Sequence, residues 1–115
     1  MDSAVILHAD PARLAVLDRP VLVVMLTGWI DASGAAAAAM AALEEVVRPT
    51  PVATFDGDVF VDYRARRPTM ELREGVNTRL DWSDIELVMG TTDEGHAVYL
   101  LRGPEPDMQW RSFAR

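Results

Sequence analysis

The residues best suited to chemistry follow directly after an apolar run. Val21–Leu26 is uncharged, and the next eight residues read Thr-Gly-Trp-Ile-Asp-Ala-Ser-Gly, ending at Gly34. Ser33 could act as a nucleophile, but it lacks the Gly-x-Ser-x-Gly elbow that exposes such a serine. The side chains of Asp31 and Ser33 also suit a helix start, since either can accept hydrogen bonds from free N–H groups. Helix capping and a ligand contact are both open interpretations, and they are compatible.

This turn has the position at which open α/β sheets bind ligands. The loop that leaves a strand's carboxyl end lies at the ligand crevice, and the following helix directs free N–H groups towards it. Trp29 would line a pocket wall or fill the core. Glu105 lies in a later loop that two prolines shape, which suits the rim of a site. The predicted ligand-binding residues are Gly28, Trp29, Asp31, Ser33, Gly34 and Glu105.

One cluster of basic side chains stands out in this acidic chain. Arg64, Arg66 and Arg67 follow Tyr63 within four residues. Guanidinium groups bind phosphates and carboxylates in a planar, two-pronged geometry, so the cluster could bind a phosphate or a partner's acidic groups. Pairing with nearby aspartates of the same chain is the equally weighted alternative. We predict Tyr63, Arg64, Arg66 and Arg67 as partner-binding residues.

The remaining polar residues suggest structural roles. Asp56 and Asp58 could hold magnesium, but such sites recruit further carboxylates from elsewhere, and a solvated turn is favoured. Asp107 precedes a short helical stretch and is a natural cap for it. His8 and His96 stand alone, and neither is a convincing ligand. Since no nucleophile has a visible acid–base pair, we predict no catalytic residue, no metal site and no cofactor.

Composition excludes several classes of protein. The chain has 115 residues, half of them apolar, which is enough for the core of one domain. It has no cysteine, which rules out disulfides, thiol catalysis and zinc–thiolate sites. A net charge of −7 disfavours nucleic acid and anionic membranes as partners. Its apolar runs fall short of a membrane span, so we expect a cytoplasmic protein.

Apolar patterning predicts an α/β fold. Ala4–Leu7 is a short strand, and Val21–Leu26 shows no alternation, so we expect cover on both of its faces and a place at the centre of the sheet. Alanine-rich Gly34–Val47 predicts a helix that lies close to the sheet. Pro51–Phe55 is the next strand, which should follow a right-handed crossover.

The second half of the chain is richer in strands. Residues 56–68 form a polar connection, and residues 70–82 alternate as a hairpin around Glu74-Gly75 with one solvated face. A second strand pair, Ile85–Met89 and Ala97–Leu101, follows, and its second strand is apolar on both faces and therefore interior. Met108–Phe113 has the composition of the first turns of a helix.

The predicted helices are too few for the predicted strands. A mixed sheet with a buried centre needs cover on both faces. We therefore expect these residues to be the first half of a domain. The chain should either pack against another chain or leave an apolar sheet face markedly exposed.

Three motifs in order resemble the bacterial branch of the proteasome assembly chaperone family. They are Gly28 to Gly34, Phe55-Asp56 with Asp62 to Pro68, and Gly103 to Asp107 with Trp110. The resemblance covers essentially the whole chain. It departs from the family at Ser33, where glycine is more frequent, and in length, because family members continue with further strand–helix units. Residues 1–115 are thus expected to be the N-terminal part of a single domain.

The resemblance implies a three-layer α/β/α fold with a mixed sheet, similar to nucleoside phosphorylases and incomplete in these residues. It implies an interaction protein: a homo-oligomeric scaffold, possible as a trimer, with proteasome subunits as candidate partners. Fold likeness by itself does not carry activity. The alternative is a small-molecule-binding protein, or a hydrolase or phosphorylase-like enzyme, that uses the crevice at Gly28–Gly34.

Overall fold

A five-stranded mixed sheet positions the rest of the fold. The computed structural model describes residues 4–8, 19–28, 34–82 and 84–115. Along them the chain forms β1 (Val5–Leu7), β2 (Val21–Thr27), α1 (Ala35–Val47), β3 (Thr50–Phe55), α2 (Gly57–Phe60), β4 (Thr69–Arg73), β5 (Val76–Asp81), β6 (Ile85–Thr91), β7 (Ala97–Pro104) and α3 (Trp110–Phe113). The sheet order is β1-β3-β6-β7-β2, in which only β2 and β7 pair in parallel. The predicted α/β class with a mixed sheet is confirmed.

Local sequence signals correctly predicted the long helix and the hairpin turn. The predicted helix is α1, which ends at Arg48, whose N–H donates to the carbonyl oxygen of Glu44 at 2.9 Å. The hairpin turns at Glu74 and Gly75, both at positive φ (53° and 78°), as in the two-residue turns that match strand twist. Gly34 occupies the N-cap position of α1. The predicted caps, Asp31 and Ser33, lie outside the described residues.

Helix α1 covers one face of the sheet. Its buried Met40 and Val47 pack against Val88, Val98 and Leu100. A β-carbon on Gly90 would collide with the backbone carbonyl of Val47, so the end of α1 lies directly on β6. The close approach predicted from the alanines thus also requires a glycine on the strand beneath.

The opposite face is covered at one end by an aromatic cluster. Phe60 is only 1% exposed, and its ring lies edge-on to the rings of Phe55 and Phe113, with centroids 5.9 and 5.6 Å away. Asp56 begins the short helix α2 by accepting a hydrogen bond from the N–H of Asp58 at 3.0 Å. The segment expected to be only a polar connection therefore contains a buried anchor, and the carboxylate of Asp56 caps a helix.

Among the strands that the structure describes, β2 lies at the edge of the sheet, so the prediction of a central position was wrong. It pairs with β7 on one side, and Leu22 and Val24 are 57% and 53% exposed. An apolar run shows that a strand tolerates burial on both faces, but it does not say how many neighbours the strand has. The prediction that β7 is interior is confirmed, since it lies between β6 and β2. Strands β2 and β3 run in the same direction with two strands between them, and the handedness of their crossover stays a prediction.

The hairpin of β4 and β5 forms a separate two-stranded sheet. Met70 and Leu80 face each other across it, and Leu72 and Trp82 follow two residues along on the same side. All four side chains are at least 41% exposed. The apolar face that was expected to be buried is thus open. Of the helices that the structure describes, none is long and apolar enough to cross a membrane.

Candidate functional site

A cleft of about 680 Å³ opens where β2 and β7 end. It is lined by Thr27, Gly103 and Pro104 at the strand ends, by Met40 and Glu44 of α1, and by Arg66 and Arg67 of the loop after α2, and it is open to solvent. Its volume falls in the range of small-molecule sites. The sheet edge is the one at which the sequence predicted a site.

A salt-bridge network occupies one wall of this cleft. The guanidinium of Arg102 on β7 donates to Glu44 of α1 at 2.5 Å and to Glu86 of β6 at 3.2 Å. Burial would lower the pKa of Arg102, but the hydrogen bond to Glu44 and the charge of Glu86 together raise it. The network joins the helix to the sheet and leaves Arg102 charged at every physiological pH.

Asp107 holds the arginine loop in place. One carboxylate oxygen accepts a hydrogen bond from the N–H of Asp62 at 2.8 Å, and both oxygens lie 3.2 Å from Nε of Arg66. The N–H of Asp107 in turn donates to the carbonyl oxygen of Phe60 at 2.8 Å. We call these contacts the Asp107 bridge. The prediction that Asp107 caps the last helix was wrong, because Gln109 occupies that N-cap position and the Asp107 carboxylate binds the loop instead.

The three predicted arginines have three different environments. Arg66 is bound in the Asp107 bridge. Arg64 lies 3.4 Å from Asp62, and its side chain is 94% exposed. The hydrogen bond that the backbone N–H of Arg64 donates to the Asp62 carboxylate lowers the pKa of Asp62, and the positive charge of Arg64 lowers it further. Arg67 has no ion pair among the described residues and lines the cleft. One loop therefore contains an arginine held by a carboxylate of the same chain, Arg66, and an arginine that extends into solvent, Arg64.

Tyr63 anchors the loop from its other side. Its ring packs edge-on against Trp82, with centroids 4.9 Å apart. Burial, together with the charges of Asp84, Asp58 and Asp56, raises the pKa of the Tyr63 hydroxyl. Burial and the neighbouring Glu86 likewise raise the pKa of Asp84. Tyr63 therefore acts as a neutral packing group between the loop and the base of the hairpin.

Three of the six predicted ligand-binding residues lie in the part of the chain that the structure describes. Gly28 and Glu105 do lie together, since a β-carbon on Gly28 would come within 2.8 Å of the Glu105 carboxylate. The N–H of Glu105 donates to the carbonyl oxygen of Thr27 at 2.8 Å, which fixes this contact. Gly34 begins α1. Trp29, Asp31 and Ser33 lie outside the described residues.

Sequence reasoning missed the network of Arg102, Glu44 and Glu86. Each residue looks like an ordinary charged side chain at the border of an apolar stretch. The available signal was a charge on an otherwise apolar strand, since Arg102 directly follows the buried run of β7. Only the register of β6 and β7, which places Glu86 opposite Arg102, brings the three charges together.

The described residues form an α/β protein with a cleft at the carboxyl edge of its sheet and an arginine loop beside that cleft. Comparison with known proteins identifies the family. The chain belongs to the PAC2 family, whose profile matches residues 25–115. This confirms the resemblance found in the motifs. In sequence, the chain matches none of the curated proteins.

Several solved structures share this fold. A protein of unknown function from Corynebacterium glutamicum is 30% identical with a TM-score of 0.76, and 83% of this chain matches 35% of that one. A proteasome-assembly chaperone homologue from Mycobacterium tuberculosis is 32% identical (TM-score 0.74; 81% of this chain, 40% of that one). A PAC2 family protein from Streptomyces avermitilis is 35% identical (TM-score 0.68; 82% and 40%). The chain therefore spans well under half the length of these relatives.

Proposed function

We propose that this chain is a non-enzymatic interaction protein of the cytoplasm, a homo-oligomeric scaffold related to proteasome-assembly chaperones. The observation that carries the proposal is the arginine loop. The Asp107 bridge and Tyr63 fix its backbone, while Arg64 projects into solvent and Arg67 has no ion pair in the described part of the chain. A loop that is already ordered loses less entropy when it binds a partner. The similarity to a proteasome-assembly chaperone homologue supports this role.

The electrostatics point to an acidic partner surface. The chain carries a net charge of −7, so its own copies and other acidic proteins both offer carboxylates to the loop. Guanidinium–carboxylate contacts orient two proteins relative to each other and raise their rate of association. Dissolved salt weakens these contacts where they are exposed. Proteasome subunits are the proposed heterologous partner by family resemblance. Residues 1–115 then act as the N-terminal part of a PAC2 domain.

Charge reversal in the loop tests this function. We expect Arg64→Glu and Arg67→Glu each to weaken assembly about tenfold at low salt, with a smaller difference at high salt. Native mass spectrometry across a salt series measures the effect. Arg111→Glu, the same charge change on exposed α3, is the matched control and should assemble like the unmodified protein. A monomeric unmodified protein, or full assembly of both loop variants at low salt, would refute the proposal.

The cleft itself favours a second function, the binding of a small anionic molecule. Arg66, Arg67 and Arg102 all line a space of about 680 Å³ at the carboxyl edge of the sheet, and guanidinium groups suit phosphates. Glu44, Glu86 and Asp107 already engage Arg66 and Arg102. Arg67 is thus the group that would meet a ligand first.

Thermal unfolding in the presence of inorganic phosphate tests the second function. Since a ligand that binds only the folded state stabilises it by about 2.7 kcal/mol at 100 times its Kd, we expect a saturable rise in Tm. Chloride at equal ionic strength should not reproduce the rise, and Arg67→Gln should abolish it. Identical melting curves in phosphate and chloride would exclude phosphate binding in the cleft.

A further inference from the structure

The cleft at the carboxyl ends of β2 and β7 is lined by charges of both signs, and these charges divide between its elements. Helix α1, the sheet and the residue directly before β6 contribute three carboxylates and one guanidinium, those of Glu44, Asp84, Glu86 and Arg102. The loop after α2 contributes the guanidiniums of Arg66 and Arg67. The first group therefore has an excess of negative charge, and the loop has an excess of positive charge.

The balance of these charges disfavours a ligand that is only an anion. In the described part of the chain, the three carboxylates and three guanidiniums of the lining cancel, and Asp107 adds a further carboxylate beside Arg66. A phosphate bound by Arg67 would thus lie close to an excess of carboxylates. Like charges repel over a Debye length, about 8–10 Å in ordinary salt. A positive group on the same ligand would offset that repulsion.

Two of the lining charges have no ionic partner among the described residues. They are Arg67 in the loop and Asp84, directly before β6. The other four are engaged: Arg66 with Asp107, and Arg102 with Glu44 and Glu86. Burial and the charge of Glu86 raise the pKa of Asp84, the direction expected of a carboxylate that has a like charge and no cation beside it. One cation and one anion in the same cleft thus remain for a ligand.

We propose that the cleft binds a free small molecule that carries both a phosphate-like anion and an ammonium group, with Arg67 on the anion and Asp84 on the ammonium. A guanidinium suits phosphate oxygens, and a carboxylate accepts charge-assisted hydrogen bonds from an ammonium. Methylene groups between the two charges would contact Met25 and Met40, which also line the cleft. This inference rests on the second proposed function, the binding of a small anionic molecule, and specifies the class of that molecule.

Isothermal titration calorimetry at low salt with aminoethylphosphonate tests the inference, because ethylphosphonate is the same molecule without the amine. We expect the unmodified chain to bind aminoethylphosphonate about fivefold more tightly than ethylphosphonate, the upper end of what one exposed ion pair contributes. Asp84→Asn should bind the two compounds with equal affinity, and Arg67→Gln should weaken the binding of both. Asp93→Asn removes an exposed carboxylate beyond the opposite end of β6. It is the matched control and should keep the fivefold preference.

The outcomes separate this inference from the proposed function. Equal affinities of the unmodified chain for the two phosphonates would overturn the inference and leave anion binding in place. Binding of ethylamine as tightly as aminoethylphosphonate would show a simple cation site and overturn it as well, as would a preference that persists in Asp84→Asn. If neither phosphonate binds, both this inference and the second proposed function are rejected. The comparison of compounds uses the unmodified chain, so it is decisive even if a variant fails to fold.

Discussion

Replacing Phe60 by alanine is expected to lower the free energy of unfolding by about 3–4 kcal/mol. The ring is 1% exposed and contacts the rings of Phe55 and Phe113 edge-on. Its removal leaves a cavity and also loses two aromatic pairs, each of which stabilises by about 0.5–1.5 kcal/mol. Since domains unfold at a cost of about 5–15 kcal/mol in total, this single change removes a large share of the stability. Urea unfolding followed by fluorescence measures it.

The effect should extend to the arginine loop. The carbonyl oxygen of Phe60 accepts the N–H of Asp107, so a displaced α2 loosens the Asp107 bridge. Trp110→Ala is the matched control, because Trp110 is half exposed although it lies beside the same cluster. We expect that control to cost less than about 1 kcal/mol. Equal losses for the two variants would mean that the cluster is not the anchor of the loop.

Replacing Arg102 by alanine is expected to lower the free energy of unfolding by about 2 kcal/mol. Hydrogen bonds to charged groups stabilise by about 1.5–3 kcal/mol, and the change leaves Glu44 and Glu86 facing each other without a cation. All three side chains are only 29–33% exposed, so water compensates incompletely. Chemical denaturation at neutral pH measures the loss.

Two controls define the origin of that loss. Arg73→Ala breaks an ion pair with Glu71 whose arginine side chain is 76% exposed, and should cost at most about 0.5 kcal/mol. Arg102→Ala should also cost less in a background of Glu44→Gln and Glu86→Gln, because the uncompensated carboxylates are gone. If the cost is the same in both backgrounds, lost packing of the arginine stem, and not the charge network, is responsible.

Period and composition were sufficient to predict most elements. Alanines and the spacing of Met40, Leu43 and Val47 predicted α1, and alternation around Glu74-Gly75 predicted the hairpin. These signals are local, since each depends on residues within one or two turns of the backbone. Capping by Asp107 failed because a carboxylate ahead of a helix has other donors within reach once the chain has folded. Its actual partners, Asp62 and Arg66, are more than 40 residues away in sequence.

The sequence by itself determined the α/β class, most strand and helix positions, the family and the presence of an arginine cluster. Those properties follow from hydrophobic period, turn chemistry and motif order. The tertiary structure alone decided that β2 is an edge strand among the described residues, that Arg102 joins α1 to β6, and that Asp107 fixes the loop. Each of these depends on strand order and register, which pair residues far apart in the chain. Apolar patterning specifies which side chains favour burial, but only the packed fold shows which of the described ones remain exposed.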